Sequence, residues 1–275
     1  MGTVLAPRSA LRSADALVRR LAEGGGALVA LSGGVDSSLV ASLAWEALGR
    51  RSVAVTLAGP AVAPPEVARA GRVARSIGIE HVVLSVDPLS NAEYRANPPN
   101  RCYFCRSIET SVLRGEGERR EVAQYLDGIQ GDDLAVERPG LRAMDAAGFD
   151  HPLAWAGWGK AEVRRVARAR GLENWDEPSD ACLASRIAHG EPISRELLDR
   201  IAAGEAWIRA RGFRRVRVRV SAGAARIEVD PFDVPRLTTE PLASQVVQAI
   251  EGLGFAPVRI DPLGYPVAAR RPAAR

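Results

Sequence analysis

The chain has 275 residues, room for one α/β domain and a smaller companion. Hydrophobic residues make up 47% and charged residues 25%, an ordinary balance for a globular protein, with no apolar run long enough to span a membrane. A net charge of +4, nearly all of it arginine, is too mild to mark a nucleic-acid binder.

The N-terminal segment lacks the apolar core of a signal peptide and reads as a short amphipathic helix, which points to the cytoplasm. Next comes the most informative stretch, 27–38, Ala-Leu-Val-Ala-Leu-Ser-Gly-Gly-Val-Asp-Ser-Ser. Its apolar run, Ala27 to Leu31, predicts a buried parallel strand, and the spacing from Asp36 to Leu48 predicts a helix. Between them Gly33 and Gly34 let the backbone turn sharply and bring its N–H groups close to a ligand. Ser32, Ser37 and Ser38 add hydroxyls, and the helix N-terminus behind them favours negative charge. This is an anion cradle suited to phosphate. It is not a Walker A loop, because no lysine follows the glycines, nor does it read G-x-G-x-x-G. The wording Ser-Gly-Gly-x-Asp-Ser resembles the PP-loop of ATP pyrophosphatases, which hold the pyrophosphate end of ATP and cut between the α and β phosphates.

Further strands are expected at Ser52–Leu57 and His81–Val86, with a helix at Pro64–Ile77 between them. This rhythm implies βαβ units, a parallel doubly wound sheet, and a ligand at the carboxyl ends of its strands. Asn97-Pro98-Pro99-Asn100 cannot be helical and sets Cys102 and Cys105 at the start of a helix spanning about 103–114. Gly115–Glu121 reads as a polar turn. A short strand at Gln124–Gly128 leads to Asp132 and Asp133, which suit Mg²⁺ beside phosphate oxygens and equally suit a solvated turn. Another helical run opens at Arg138-Pro139-Gly140, and an amphipathic helix at Gly159–Gly171 turns its arginines to solvent. The loop Trp175–Ile187 carries Cys182.

A domain boundary is expected near 188–192, giving a first domain of 1–188, a small α+β domain of 189–265 and a disordered tail of 266–275. In the second domain a helix is expected at Ser194–Arg211. Arg214–Val220 alternates, with Val216, Val218 and Val220 on one face and Arg215, Arg217 and Arg219 on the other. Ala224–Val229 is its expected partner, followed by a helix at Thr239–Leu253 and a strand at Pro257–Asp261.

Three cysteines in a cytosolic chain argue against a disulfide framework, and the C-x-x-C pair argues for metal or redox chemistry. The cysteines could hold an iron–sulfur cluster, form a zinc site completed by His189, leave Cys182 alone as a sacrificial sulfur donor, or simply be buried.

The phosphate loop together with Asn-Pro-Pro-Asn-Arg-Cys-Tyr-Phe-Cys-Arg, Asp-Gly-Ile-Gln-Gly-Asp-Asp, Glu-Arg-Pro-Gly and Glu-Pro-Ser-Asp-Ala-Cys-Leu-Ala-Ser-Arg resembles the LarE family. These are ATP-dependent sulfur transferases that build the nickel-pincer nucleotide cofactor. The resemblance covers about 25–229. It implies ATP and Mg²⁺ at Ser32, Gly33, Gly34, Asp36, Ser37 and Ser38, with Asp132 and Asp133 assisting. It also implies cysteine-loop positions at Cys102, Cys105 and Cys182. A three-cysteine chain resembles the cluster-dependent branch, in which three thiolates hold a [4Fe-4S] cluster and leave one iron open for sulfide.

The implied substrate is a pyridinium dicarboxylate mononucleotide whose phosphate meets Arg217 and Arg219, with Arg186 and Glu205 also facing the site. That strand face could equally be solvated, and Val220-Ser221 stands where the family often continues with histidine. The resemblance further implies a sulfide donor and a homo-oligomer. The rival readings are a tRNA thiolase with the same chemistry and a non-enzymatic nucleotide-binding metal or redox sensor.

Overall fold

The computed structural model describes residues 13–135, 138–178 and 181–265. The expected tail at 266–275 lies outside them. The chain forms two compact units, residues 1–94 with 99–180, and residues 95–98 with 181–275.

In the first unit, α1 (Ala14–Ala22) is capped by Ser13 and buries Leu17 and Leu21 completely. There follow β1 (Ala27–Ala30), α2 (Val35–Leu48), β2 (Ser52–Ala58), α3 (Pro64–Ile77), β3 (Glu80–Ser85), α4 (Ala92–Arg95), α5 (Arg101–Arg119), β4 (Gln124–Leu126), α6 (Pro139–Ala146), α7 (Pro152–Trp155) and α8 (Lys160–Ala169). The sheet order is β3-β2-β1-β4 and every pairing is parallel.

Neighbouring residues of β1 feed opposite cores, as the pleat requires. Val29 packs among Leu17, Leu39, Leu43 and Val163, whereas Leu28 packs among Val53, Leu113, Tyr125 and Met144. Both faces are therefore covered, which is the doubly wound arrangement expected. Strand order changes direction at β1, so the loop leaving its carboxyl end opens at the switch point where such sheets bind ligands.

The largest departure from the expected elements is α5, which runs on to Arg119 where a polar turn was anticipated. Glu116 is buried and accepts from Arg119 and Arg120 one turn ahead, at 2.6 and 2.5 Å. Those pairs satisfy the last turn and outweigh the poor helix propensity of Gly115 and Gly117.

The second unit contains α9 (Arg195–Arg209), β5 (Val216–Ser221), β6 (Ala224–Val229), α10 (Val234–Leu237), α11 (Leu242–Glu251) and β7 (Val258–Ile260). β5 and β6 pair antiparallel and β7 joins β6 in parallel. Val216, Val218 and Val220 are buried as the alternation predicts, and α9 packs on β5 and α11.

The division falls at 180, ahead of the expected boundary, and the small unit also takes in 95–98. Asn97 explains the second point. It is fully buried at φ 53°, and its Nδ2 donates to the carbonyls of Ala188 and Glu191 at 2.8 and 3.0 Å. No helix among the described residues is long and apolar enough to cross a membrane.

Candidate active site

The loop from β1 to α2 is the candidate phosphate site. Gly33 sits at φ 79°, and a Cβ there would lie 2.9 Å from the Ala70 nitrogen and 3.0 Å from the Glu66 carbonyl of α3. Only glycine meets both demands. The turn is braced from within: Ser38 Oγ donates to the Gly34 carbonyl at 2.8 Å, Ser37 Oγ donates to the same carbonyl at 3.2 Å, and Ser32 N donates to Ser37 Oγ at 3.2 Å. Arg69 and the buried Asn174 both donate to the Gly33 carbonyl, at 3.1 and 2.9 Å. The serines therefore shape the loop, and the first N–H groups of α2 are left to meet an anion.

From β4 the chain approaches α2 more closely than any side chain would allow. A Cβ on Gly128 would lie 2.5 Å from the Ser37 nitrogen and 2.9 Å from the Asp36 carbonyl carbon.

Asp36, in the first turn of α2, accepts from Lys160 Nζ through Oδ2 at 2.6 Å, while its Oδ1 is enclosed without a hydrogen-bond partner. A buried carboxylate oxygen with nothing to bond fits a hard cation such as Mg²⁺. No spacing rule assigns Lys160 to this loop. It is the sole lysine of the chain, placed directly after Gly159 at the start of α8, and that singularity was the available signal.

The two acids expected to assist are already engaged. Asp132 accepts from the Lys160 backbone at 2.9 Å, so it caps α8 and fixes the lysine. Asp133 accepts from the Gln130 nitrogen at 3.2 Å and pairs with Arg138 at 2.7 Å.

At the carboxyl end of β4, His151 lies between Asp127 (2.8 Å) and Asp145 (2.9 Å). Burial opposes its charge, but the hydrogen bonds and charges of the two aspartates prevail and raise its pKa to about 9. Burial likewise pushes the neighbouring Asp150 carboxyl up.

Cys102 and Cys105 lie in the first two turns of α5, at the helix start that the Pro-Pro segment predicts. Cys102 is exposed, and Cys105 is half-buried and donates to Glu109 Oε1 at 3.2 Å. Cys182 is exposed in the second unit, and none of the three is in a disulfide. Thiols are the right donors for iron–sulfur or zinc chemistry. Among the described residues, however, no group of three His, Cys, Asp or Glu side chains is arranged to hold a metal, so no reaction step is derived through a cluster.

In the second unit Arg217 is buried on the supposed outer face of β5. The Tyr265 ring lies 5.3 Å from its guanidinium, 5.1 Å from that of Arg215 and 6.0 Å from that of Arg219. Arg219 pairs with Glu228 at 3.0 Å and donates to the Ser185 carbonyl at 2.9 Å. Arg186 and Glu205 form a buried ion pair at 2.8 Å. Sequence periodicity shows the guanidinium row but not Glu228 of β6, which pairs with Arg219, or Glu205 of α9, which pairs with Arg186.

The asparagine synthase family model matches residues 9–98. An uncharacterised protein of Synechocystis is 39% identical over 239 residues, covering 87% of this chain and 89% of its own. The pyridinium-3,5-bisthiocarboxylic acid mononucleotide synthase of Lactiplantibacillus plantarum is 30% identical over 238 residues, 86% of each chain. The tRNA-specific 2-thiouridylase of Brucella suis is 34% identical over 210 residues, covering 61% of this chain and 52% of its own.

Proposed function

Because this chain belongs to the LarE family, we propose that it converts a carboxylate of a pyridinium dicarboxylate mononucleotide to a thiocarboxylate for nickel-pincer cofactor synthesis. It is an ATP-dependent sulfurtransferase. The observation that carries the reading is the Asp36–Lys160 pair at the N-terminus of α2, a cation and a carboxylate set where a phosphate chain and its Mg²⁺ must meet.

The N–H groups of the 32–38 turn receive the β and γ phosphates, and Lys160 neutralises them. Asp36 would hold Mg²⁺, which when bound would supply charge neutralisation at the phosphates. The substrate carboxylate oxygen attacks the α-phosphorus, the bond from that phosphorus to the bridging oxygen breaks, and pyrophosphate leaves. The carboxylate, inert before, is now a mixed anhydride with AMP. A sulfur nucleophile attacks the acyl carbon, the bond from that carbon to the AMP oxygen breaks, and AMP departs. Position and charge neutralisation supply most of the acceleration.

Arg219 receives the mononucleotide phosphate by exchanging Glu228 for the ligand, with Arg217, buried on the same strand, adding positive charge behind it. Cys102, Cys105 and Cys182 are the thiols that would hold a [4Fe-4S] cluster, and such a cluster, when bound, would supply iron able to carry sulfide. The C-x-x-C pair at a helix start and the soft donors support this. Family membership supports a cytoplasmic homo-oligomer.

Anaerobic purification with iron and sulfide counts tests the cluster. Four irons and four or more sulfides per chain are expected for a cube. A metal-free chain that consumes Cys182 in a single turnover would establish sacrificial donation instead. Similarity to a tRNA thiouridylase keeps one rival in view, and thiolated tRNA as the product would replace the mononucleotide.

A further inference from the structure

We propose that Arg186 and Glu205 are a buried clamp that positions Cys182, not groups that contact the substrate; the inference rests on the sulfur-transfer reading above. Glu205 is 0% exposed and its carboxylate is fully committed. Oε1 accepts from Arg186 Nε at 2.8 Å and from the Val218 nitrogen at 3.1 Å. Oε2 accepts from Arg186 Nη2 at 3.1 Å and from Arg209 Nη2 at 2.9 Å. Four donors fill the four lone-pair directions of the carboxylate, which leaves none for a substrate.

The other edge of the Arg186 guanidinium turns toward the cysteine. Nη1 donates to the Ala181 carbonyl, to the Cys182 carbonyl at 3.1 Å and to Ser185 Oγ at 3.1 Å. The Ser185 nitrogen closes the same turn onto the Cys182 carbonyl at 2.9 Å, and Arg219 holds the Ser185 carbonyl at 2.9 Å. The thiol is exposed while the backbone beneath it is bolted, through one planar fork, to α9 and β5. Two hydrogen-bonding edges in one rigid plane are a property of arginine that lysine lacks. A side chain 1% exposed with both edges engaged is built to hold a turn, and the turn it holds is the one that carries the Cys182 thiol.

The test uses the full-length protein with Arg186→Lys and Glu205→Gln, and with Arg209→Gln as a control that breaks a contact of Glu205 but none of the cysteine turn. Hydrogen exchange of a peptide covering 181–188 is expected to quicken about tenfold in the first two variants and to stay at the wild-type rate in the third. The kcat of sulfur transfer is expected to fall on the order of 10²-fold in the clamp variants. Nucleotide KM and ATP–pyrophosphate exchange should stay near wild-type values. A raised nucleotide KM with unchanged kcat and unchanged exchange of the 181–188 amides would overturn the clamp and make these residues substrate contacts. Should Glu205→Gln fail to fold, Arg186→Lys decides alone by the same readouts. Hydrogen exchange needs no turnover, so a chain inactive in sulfur transfer would refute the functional reading while the clamp is still judged.

Discussion

Gly128→Ala puts the positioning of the phosphate loop to a quantitative test. The added methyl would lie 2.5 Å from the Ser37 nitrogen, and ordinary contact begins near 3.4 Å. Either β4 or the first turn of α2 must therefore shift by about 0.9 Å. The opposing atoms are backbone, so no rotamer change relieves the clash. Overpacking of this kind costs about 1–3 kcal/mol, which lowers Tm by roughly 2–4 °C per kcal/mol in a chain of this size. The larger effect falls on chemistry, because a displacement of about 1 Å at a positioned group costs on the order of 10²-fold in rate. ATP–pyrophosphate exchange and thermal unfolding, measured on the same preparation, separate the two. A Gly128→Ala protein with wild-type exchange and wild-type Tm would refute the close approach of β4 to the phosphate loop.

Lys160→Ala should raise the KM for ATP and cut adenylylation at least tenfold, with Lys160→Arg recovering part of it, as read by pyrophosphate release. Cys182→Ala should abolish thiocarboxylate formation while ATP–pyrophosphate exchange persists; loss of both would mean the cysteine supports the nucleotide site. Arg219→Ala should raise the KM for the mononucleotide and leave that for ATP unchanged. His151 provides a pH test: its folded pKa of about 9 exceeds the ordinary 6.5, so its contribution is complete below pH 6.5, declines between the two values and is gone above 9. Asp127, Asp145 and Asp150 are the charges around it, and with Asp145 largely exposed the loss amounts to about 2 kcal/mol. Denaturant midpoints across that window should fall in the wild type and stay flat in His151→Gln.

What the sequence revealed was what local rules govern. The glycine turn, its strand and helix, and the Val216–Val218–Val220 face follow from periodicity and backbone freedom, and the structure has them where expected. What it hid depends on partners distant in the chain. Glu116 extends α5 through its arginines, and Asn97 joins its segment to the 188–191 turn from 91 residues away. Lys160 reaches Asp36 across 124 positions, a pairing no spacing rule encodes. Asp132 reads as a cation ligand because paired acids at a strand end so often are, and its partner on α8, the Lys160 backbone 28 positions away, was not legible. Glu205 looked like a substrate contact and is enclosed by four donors.

The account turns on a carboxylate being activated by AMP and then made to carry sulfur. Its most direct test is mass spectrometry of the reaction of the anaerobically purified chain with ATP, Mg²⁺, a sulfide source and the pyridinium dicarboxylate mononucleotide. The account predicts a product in which one carboxylate oxygen is replaced by sulfur, formed with one AMP and one pyrophosphate per replacement. ATP split to ADP and phosphate, or a mononucleotide recovered unchanged while AMP accumulates on another acceptor, would contradict it.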